Sequence, residues 1–176
     1  MASANFSPPD PDLVGDRWSD VWQERVRHSR PWSLSFVENR LNTEFWQSRG
    51  LSEDAAAAVD RCAVYVIGGW NDWYAHALLR VFSRVNGPKR GLIGPWSHDF
   101  PNNSVPGPRV DFTYEAARFF DEHLKGVVQP VEPPLTIFRR EFTEPQSFRL
   151  EENGTFVTEE QWPPQRVCPA IFRLCS

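Results

Sequence analysis

The chain has 176 residues, enough for one ordinary domain with a sizeable buried core. Hydrophobic residues make up 40% and aromatic residues 14%, with 8 Trp and 13 Phe, which excludes a disordered polar chain. A net charge of -4, with no Lys/Arg cluster longer than Arg139-Arg140, argues against nucleic acid as a partner, and no run approaching about 18 apolar residues is present to span a membrane.

The first nine residues lack a basic segment and an apolar core, so no secretory leader is expected. Cys62, Cys168 and Cys175 are an odd set without C-x-x-C spacing, which fits reduced thiols in a soluble, cytoplasmic protein better than a disulfide framework or a zinc site.

Residues 1–12 are small, polar and Pro-rich and read as a loop. Trp18, Val21, Trp22 and Val26 then recur at helical spacing until Pro31, where Ser33 can cap a second helix carrying Leu34, Val37 and Leu41. A third short helix around Phe45 and Trp46 stops near Gly50, and a brief Ala-rich helix covers 54–59. The continuous apolar run 62–67 is typical of a strand buried in a parallel sheet. Tyr74, Ala77, Leu78, Val81, Phe82 and Val85 give the strongest helical pattern of the chain, ended by Asn86-Gly87-Pro88 and followed by the short apolar strand at Leu92-Ile93. A Pro-rich loop leads to a Thr113-capped helix with Phe119, Phe120 and Leu124 on its packing side and Gly126 as its stop. Beyond it, Pro130, Pro133 and Pro134 form a linker before β-like pieces at 135–138, 147–150 and 155–157, too few to close a module of their own. Helices come first and the sheet later.

Two segments echo each other, Ile67-Gly68-Gly69-Trp70-Asn71-Asp72 and Ile93-Gly94-Pro95-Trp96-Ser97-His98. One ends in a carboxylate and the other in an imidazole. Each follows a strand, and the strand-helix-strand unit between them makes the two strands parallel neighbours, about 4.8 Å apart. Asp72 and His98 stand equally far beyond the strand isoleucines, so the two side chains are expected at one sheet edge, within reach of each other. The alternatives are a plain helix cap for Asp72 and a loop histidine bonded to a backbone carbonyl for His98.

Taken in order, Gly68-Gly69-Trp70-Asn71-Asp72-Trp73-Tyr74, Gly91-Leu92-Ile93-Gly94-Pro95-Trp96-Ser97-His98, Glu122-His123-Leu124-Lys125-Gly126 and Trp162-Pro163-Pro164 resemble the latter half of the cocaine esterase and X-prolyl dipeptidyl-peptidase family of serine hydrolases. The resemblance spans roughly residues 8–166. It implies an α/β fold in which 1–60 is the end of a helical cap, 61–129 the C-terminal part of an α/β-hydrolase domain, and 130–176 a linker with the start of a truncated jelly roll. It also implies that Asp72 is the catalytic acid and His98 the base of a Ser-His-Asp triad, acting on ester or amide bonds without a cofactor or metal.

That family runs serine, acid, histidine along the chain, with the serine in a G-x-S-x-G elbow. This chain has no such elbow. Gly94-Pro95-Trp96-Ser97-His98 lacks the spacing, and Ser104 has no strand before it, so the nucleophile and oxyanion hole are expected upstream of Met1 and the chain alone is expected to be inactive. Either it is part of a hydrolase of esters, amides or X-Pro peptides, or it is a non-catalytic binding protein derived from one, or an incomplete gene product. In each case an open sheet edge and uncovered apolar surface are expected. The final stretch, 167–176, does not continue as a jelly-roll strand.

Other features have simple readings. His76, four residues after Asp72, lacks a third ligand for a metal and reads as a solvated helical histidine, and His28 and His123 read as surface residues. Trp18, Trp22, Trp32 and Trp46 either pack cap helices together or wall an apolar acyl pocket. Trp70 and Trp96 either support the acid and base or fill the sheet edge.

Overall fold

The computed structural model describes residues 6–173, with only the backbone of Trp32. Cys175 and the Trp32 side chain lie outside the described residues. The chain divides into two compact units, Met1–Ser52 and Glu53–Ser176.

The first unit is helical: α1 (Pro11–Val14), a 3-10 turn (Gly15–Arg17), α2 (Trp18–His28), α3 (Trp32–Glu38) and α4 (Glu44–Gln47). Asp10 caps α1 by accepting the Asp12 N–H at 2.9 Å. The leading segment is pinned by two indoles: Trp18 donates to the Pro9 carbonyl at 2.7 Å and Trp22 to the Phe6 carbonyl at 3.0 Å. Their rings lie 5.0 Å apart. No residue of α1, α2 or α4 is fully buried, so half-buried aromatics whose N–H groups reach carbonyls hold these helices. Ser33 is not the cap of α3. Pro31 takes that place, its φ of -61° leading into the helix while its ring nitrogen leaves no N–H to satisfy.

In the second unit α5 (Glu53–Val59) precedes β1 (Val64–Gly69), α6 (Ala75–Arg84), β2 (Lys89–Gly94), α7 (Phe112–Lys125), β3 (Leu135–Arg140) and β4 (Gly154–Glu159). The sheet order is β1-β2-β3-β4, with β1, β2 and β3 mutually parallel and β4 antiparallel to β3. The mixed sheet with its helices is an α/β arrangement, and it continues across residue 130. Pro134 begins that continuation, its carbonyl accepting the Gly91 N–H at 2.8 Å.

The core lies between the sheet and α6. Val66, Ile93, Leu135 and Ile137 point to the face that Leu79 and Phe82 cover. Phe82 and Ile93 are almost wholly buried. Tyr74, expected on this apolar stripe, is half exposed, because it stands at the N-cap before α6 begins and the packed stripe starts at Ala75 and runs through Leu79. Lys89 completes the other end of the helix, its Nζ donating to the Phe82 and Val85 carbonyls.

On the opposite face Phe119 of α7 lies 5.2 Å from the Tyr65 ring. Asp111, rather than Thr113, caps α7 by accepting the Tyr114 N–H at 3.1 Å. Gly126 ends the helix in the left-handed conformation at φ +70°, while Val127 N–H returns to the Asp121 carbonyl. Tyr114, Phe120 and Leu124 remain exposed along α7.

Residues 147–150 form no strand. Phe148 and Leu150 are exposed, and Arg149 draws this segment into a loop through Glu152 at 3.2 Å and through contacts to Thr143 and Glu144. An isolated bridge, Gly107 to Glu151, lies between this segment and β4.

Burial, reinforced by the Glu115 charge, pushes the Tyr65 hydroxyl from its ordinary 10.0 up to about 12. Between these values the folded chain keeps a proton that the unfolded chain releases, so stability falls as pH rises through that window. Tyr65→Phe should flatten the alkaline decline of the melting temperature. Equal slopes for parent and variant would count against the buried phenol.

Candidate active site

The pairing of β1 with β2 continues past the strand ends. Trp70 N–H donates to the Gly94 carbonyl at 2.9 Å and Asn71 N–H to the Trp96 carbonyl at 3.0 Å, while the Asn71 side-chain amide reaches the Pro95 carbonyl at 2.7 Å. The two echoed segments are thus stitched together residue by residue. Gly69 allows it: a Cβ there would come within 2.0 Å of the Trp96 carbonyl oxygen.

The echoed isoleucines do not point the same way. Ile67 pairs with Leu92, and Gly68 with Ile93. The offset of one residue puts Ile93 in the α6 core and turns Ile67 to the other face, because side chains alternate along a strand. The acid and base still meet, since the added bonds at Trp70 and Asn71 bring both chain reversals to one edge.

After Asn71 the chain turns back, with Asp72 N–H donating to the Gly69 carbonyl at 3.0 Å. Asp72 Oδ1 accepts the Tyr74 N–H at 3.0 Å and Oδ2 meets His98 Nδ1 at 2.9 Å. The helix-side bond and the histidine partnership therefore coexist, one on each oxygen. The Asp72 side chain is 11% exposed and that of His98 76%.

Partial burial alone would raise the Asp72 carboxyl. The His98 hydrogen bond and the Tyr74 N–H outweigh it and hold the carboxyl below its usual range. An ionised carboxylate only accepts, so Nδ1 carries the proton and donates, leaving Nε2 as the nitrogen that can take up another. The Tyr74 ring lies 5.7 Å from the imidazole. An open cleft of about 360 Å³ adjoins the pair, lined by Ile67, Gly68, Asp72, His98, Phe100 and Phe112. The last two rings stack at 5.4 Å.

Trp96 is 1% exposed and donates to the Pro108 carbonyl at 2.8 Å, and Trp70 donates to the Phe138 carbonyl at 2.7 Å. Both indoles brace the backbone of the turns that carry Asp72 and His98. Ser104 is fully buried, so it is no exposed nucleophile. Its Oγ accepts the Ser97 N–H at 3.0 Å and lies 3.1 Å from Ser97 Oγ. Its spacing from His98 carries no periodic signal, and sequence reasoning considered it only as a nucleophile.

His76 and His28 are exposed. His123 is not a plain surface residue: its ring packs edge-on against Phe119 at 4.5 Å and its side chain is 22% exposed. Among the described residues no group of three or more His, Cys, Asp and Glu side chains is placed to hold a metal. Cys62 and Cys168 are free thiols. No helix among the described residues is long and apolar enough to cross a membrane.

The mixed sheet with its helices is an α/β fold, and the turns that follow its first two parallel strands bring a carboxylate and a histidine into hydrogen-bond contact. The sequence model of the X-Pro dipeptidyl-peptidase (S15) family matches residues 5–99, more than half of the chain, which therefore belongs to that family. A solved CocE/NonD family hydrolase from Staphylococcus aureus shares the fold, with a TM-score of 0.56 at 14% identity over 92% of this chain. This chain spans 28% of that protein. No curated protein matches it.

Proposed function

We propose that the chain supplies the acid and base of a serine hydrolase that cleaves ester or amide bonds, X-Pro peptide bonds among them, through an acyl-enzyme. The observation that carries this reading is the 2.9 Å contact between Asp72 Oδ2 and His98 Nδ1 at the ends of two adjacent parallel strands. Membership of the S15 family supports it. Residues 1–60 then correspond to the end of a cap, 61–129 to the last part of the hydrolase domain, and later residues to the passage toward a β domain.

The chemistry needs a serine that this chain does not offer in an elbow. As the serine oxygen adds to the substrate carbonyl carbon, His98 Nε2 takes the hydroxyl proton. The imidazolium returns that proton to the departing alcohol or amine as the tetrahedral intermediate collapses to the acyl-enzyme. Water repeats the cycle in the second half, with His98 again the base. Asp72 keeps Nδ1 protonated and stabilises the charged ring throughout.

A fluorophosphonate probe, which labels only an activated serine, tests the division of labour. The 176-residue chain should remain unlabelled, while a longer polypeptide that adds a G-x-S-x-G region should label on that serine. Labelling of the short chain would overturn the placement of the nucleophile. A second reading, a non-catalytic interaction protein, draws on the exposed Tyr114, Phe120 and Leu124 of α7, and gains if the longer polypeptide also fails to label.

A further inference from the structure

The His98 imidazole is 76% exposed, so packing contributes little to its orientation. What orients it is the Asp72 carboxylate at Nδ1 and the backbone from which the ring projects. That backbone is held one residue earlier. All three polar groups of Ser97 are engaged: its N–H donates to Ser104 Oγ at 3.0 Å, its hydroxyl lies 3.1 Å from the same oxygen, and its carbonyl accepts the Asp99 N–H at 2.9 Å. Ser104 itself is fully buried, and its N–H donates to the Phe100 carbonyl at 2.9 Å, closing the loop that starts at Ser97. A hydroxyl in a dry site has few states open to it, and here both of its side-chain partners belong to one residue.

We propose that Ser104 is a positioning residue for His98, its buried hydroxyl locking the Ser97 peptide so that the imidazole stays on Asp72. The role goes beyond cavity filling, because both hydrogen bonds of the hydroxyl go to the residue that precedes the histidine. The inference rests on the acid-base reading of Asp72 and His98.

The histidine tautomer reports the effect directly. In the 15N-labelled 176-residue chain, with His98 assigned by its loss in His98→Gln, long-range proton-nitrogen spectra of the neutral ring should show the Nδ1–H form dominant. Its dominance reports an acceptor at Nδ1, the place the Asp72 carboxylate occupies. In Ser104→Ala the ratio of Nδ1–H to Nε2–H should fall about fivefold, the size of one lost hydrogen bond, with the circular dichroism spectrum unchanged. Ser104→Cys fills the same space with a weak donor and acceptor and should show the same fall; it decides the matter if the alanine variant does not fold.

A parent-like ratio in a folded variant of either kind would reduce Ser104 to a space filler and overturn the proposal. Absence of the Nδ1–H form in the parent chain is a different failure. It would remove the Asp72 pairing, and the hydrolase reading with it.

Discussion

His98→Ala, in a longer polypeptide that also carries the nucleophilic serine, is expected to lower kcat about a hundredfold or more, the contribution of a well-placed general base. The expectation follows from position: Nδ1 is occupied by Asp72 at 2.9 Å, so Nε2 is the nitrogen left for proton transfer. Asp72→Asn should lower kcat by about 10³ to 10⁴, because an amide in place of the carboxylate favours the wrong tautomer. The same variant carries a pH signature. The Asp72 carboxyl lies below its ordinary 3.8, so its contribution to stability is fully present above that value and is lost as pH falls through the folded-state value. The asparagine variant should therefore lose less stability on acidification. A kcat near the parent's for His98→Ala would remove the histidine from the mechanism.

Gly69→Ala should destabilise the fold by about 3 kcal/mol, at the upper end for an overpacked site. The added methyl would fall 2.0 Å from the Trp96 carbonyl oxygen and 2.5 Å from its carbon, and both are backbone atoms that cannot rotate away. Relief requires β1 to separate from the segment after β2, which breaks the Asn71 to Trp96 bond and carries Asp72 away from His98. Gly68→Ala is the matched control. Its methyl would meet Leu78 Cδ1 at 2.1 Å, the end of a flexible side chain that can turn aside. Chemical denaturation of both variants decides: equal midpoints would show that the close approach at Gly69 is not what joins the two turns.

Much of the fold was legible because local chemistry and packing agree. The apolar run before Ile67, the helical stripe through Phe82 and the Gly126 stop each form the element that their residues favour. Where they disagree, partners outside the segment decide. Phe148 and Leu150 alternate like a strand, yet the segment joins no ladder: the Leu150 carbonyl accepts the Gly107 N–H in an isolated bridge, and both side chains lie exposed. Thr113 and Ser33 are good capping residues, but the helices begin earlier, at positions set by where the chain enters from Asp111 and Pro31.

By itself the sequence pointed to the family, through the ordered set of motifs that resemble it, and to the two residues worth watching, because echoed Gly-x-Trp frames after apolar strands place an acid and a base at comparable distances beyond parallel neighbours. It could not supply the register. Only the tertiary structure decided that the frames sit one residue out of step, so that Ile67 and Ile93 face opposite sides while Asp72 and His98 still meet. Only it decided that a buried Ser104, seven residues on, grips Ser97. The physical reason is the same in both cases: strand pairing and the satisfaction of buried polar groups are settled by which backbone and side-chain groups the folded chain brings together, and single-sequence periodicity does not record them.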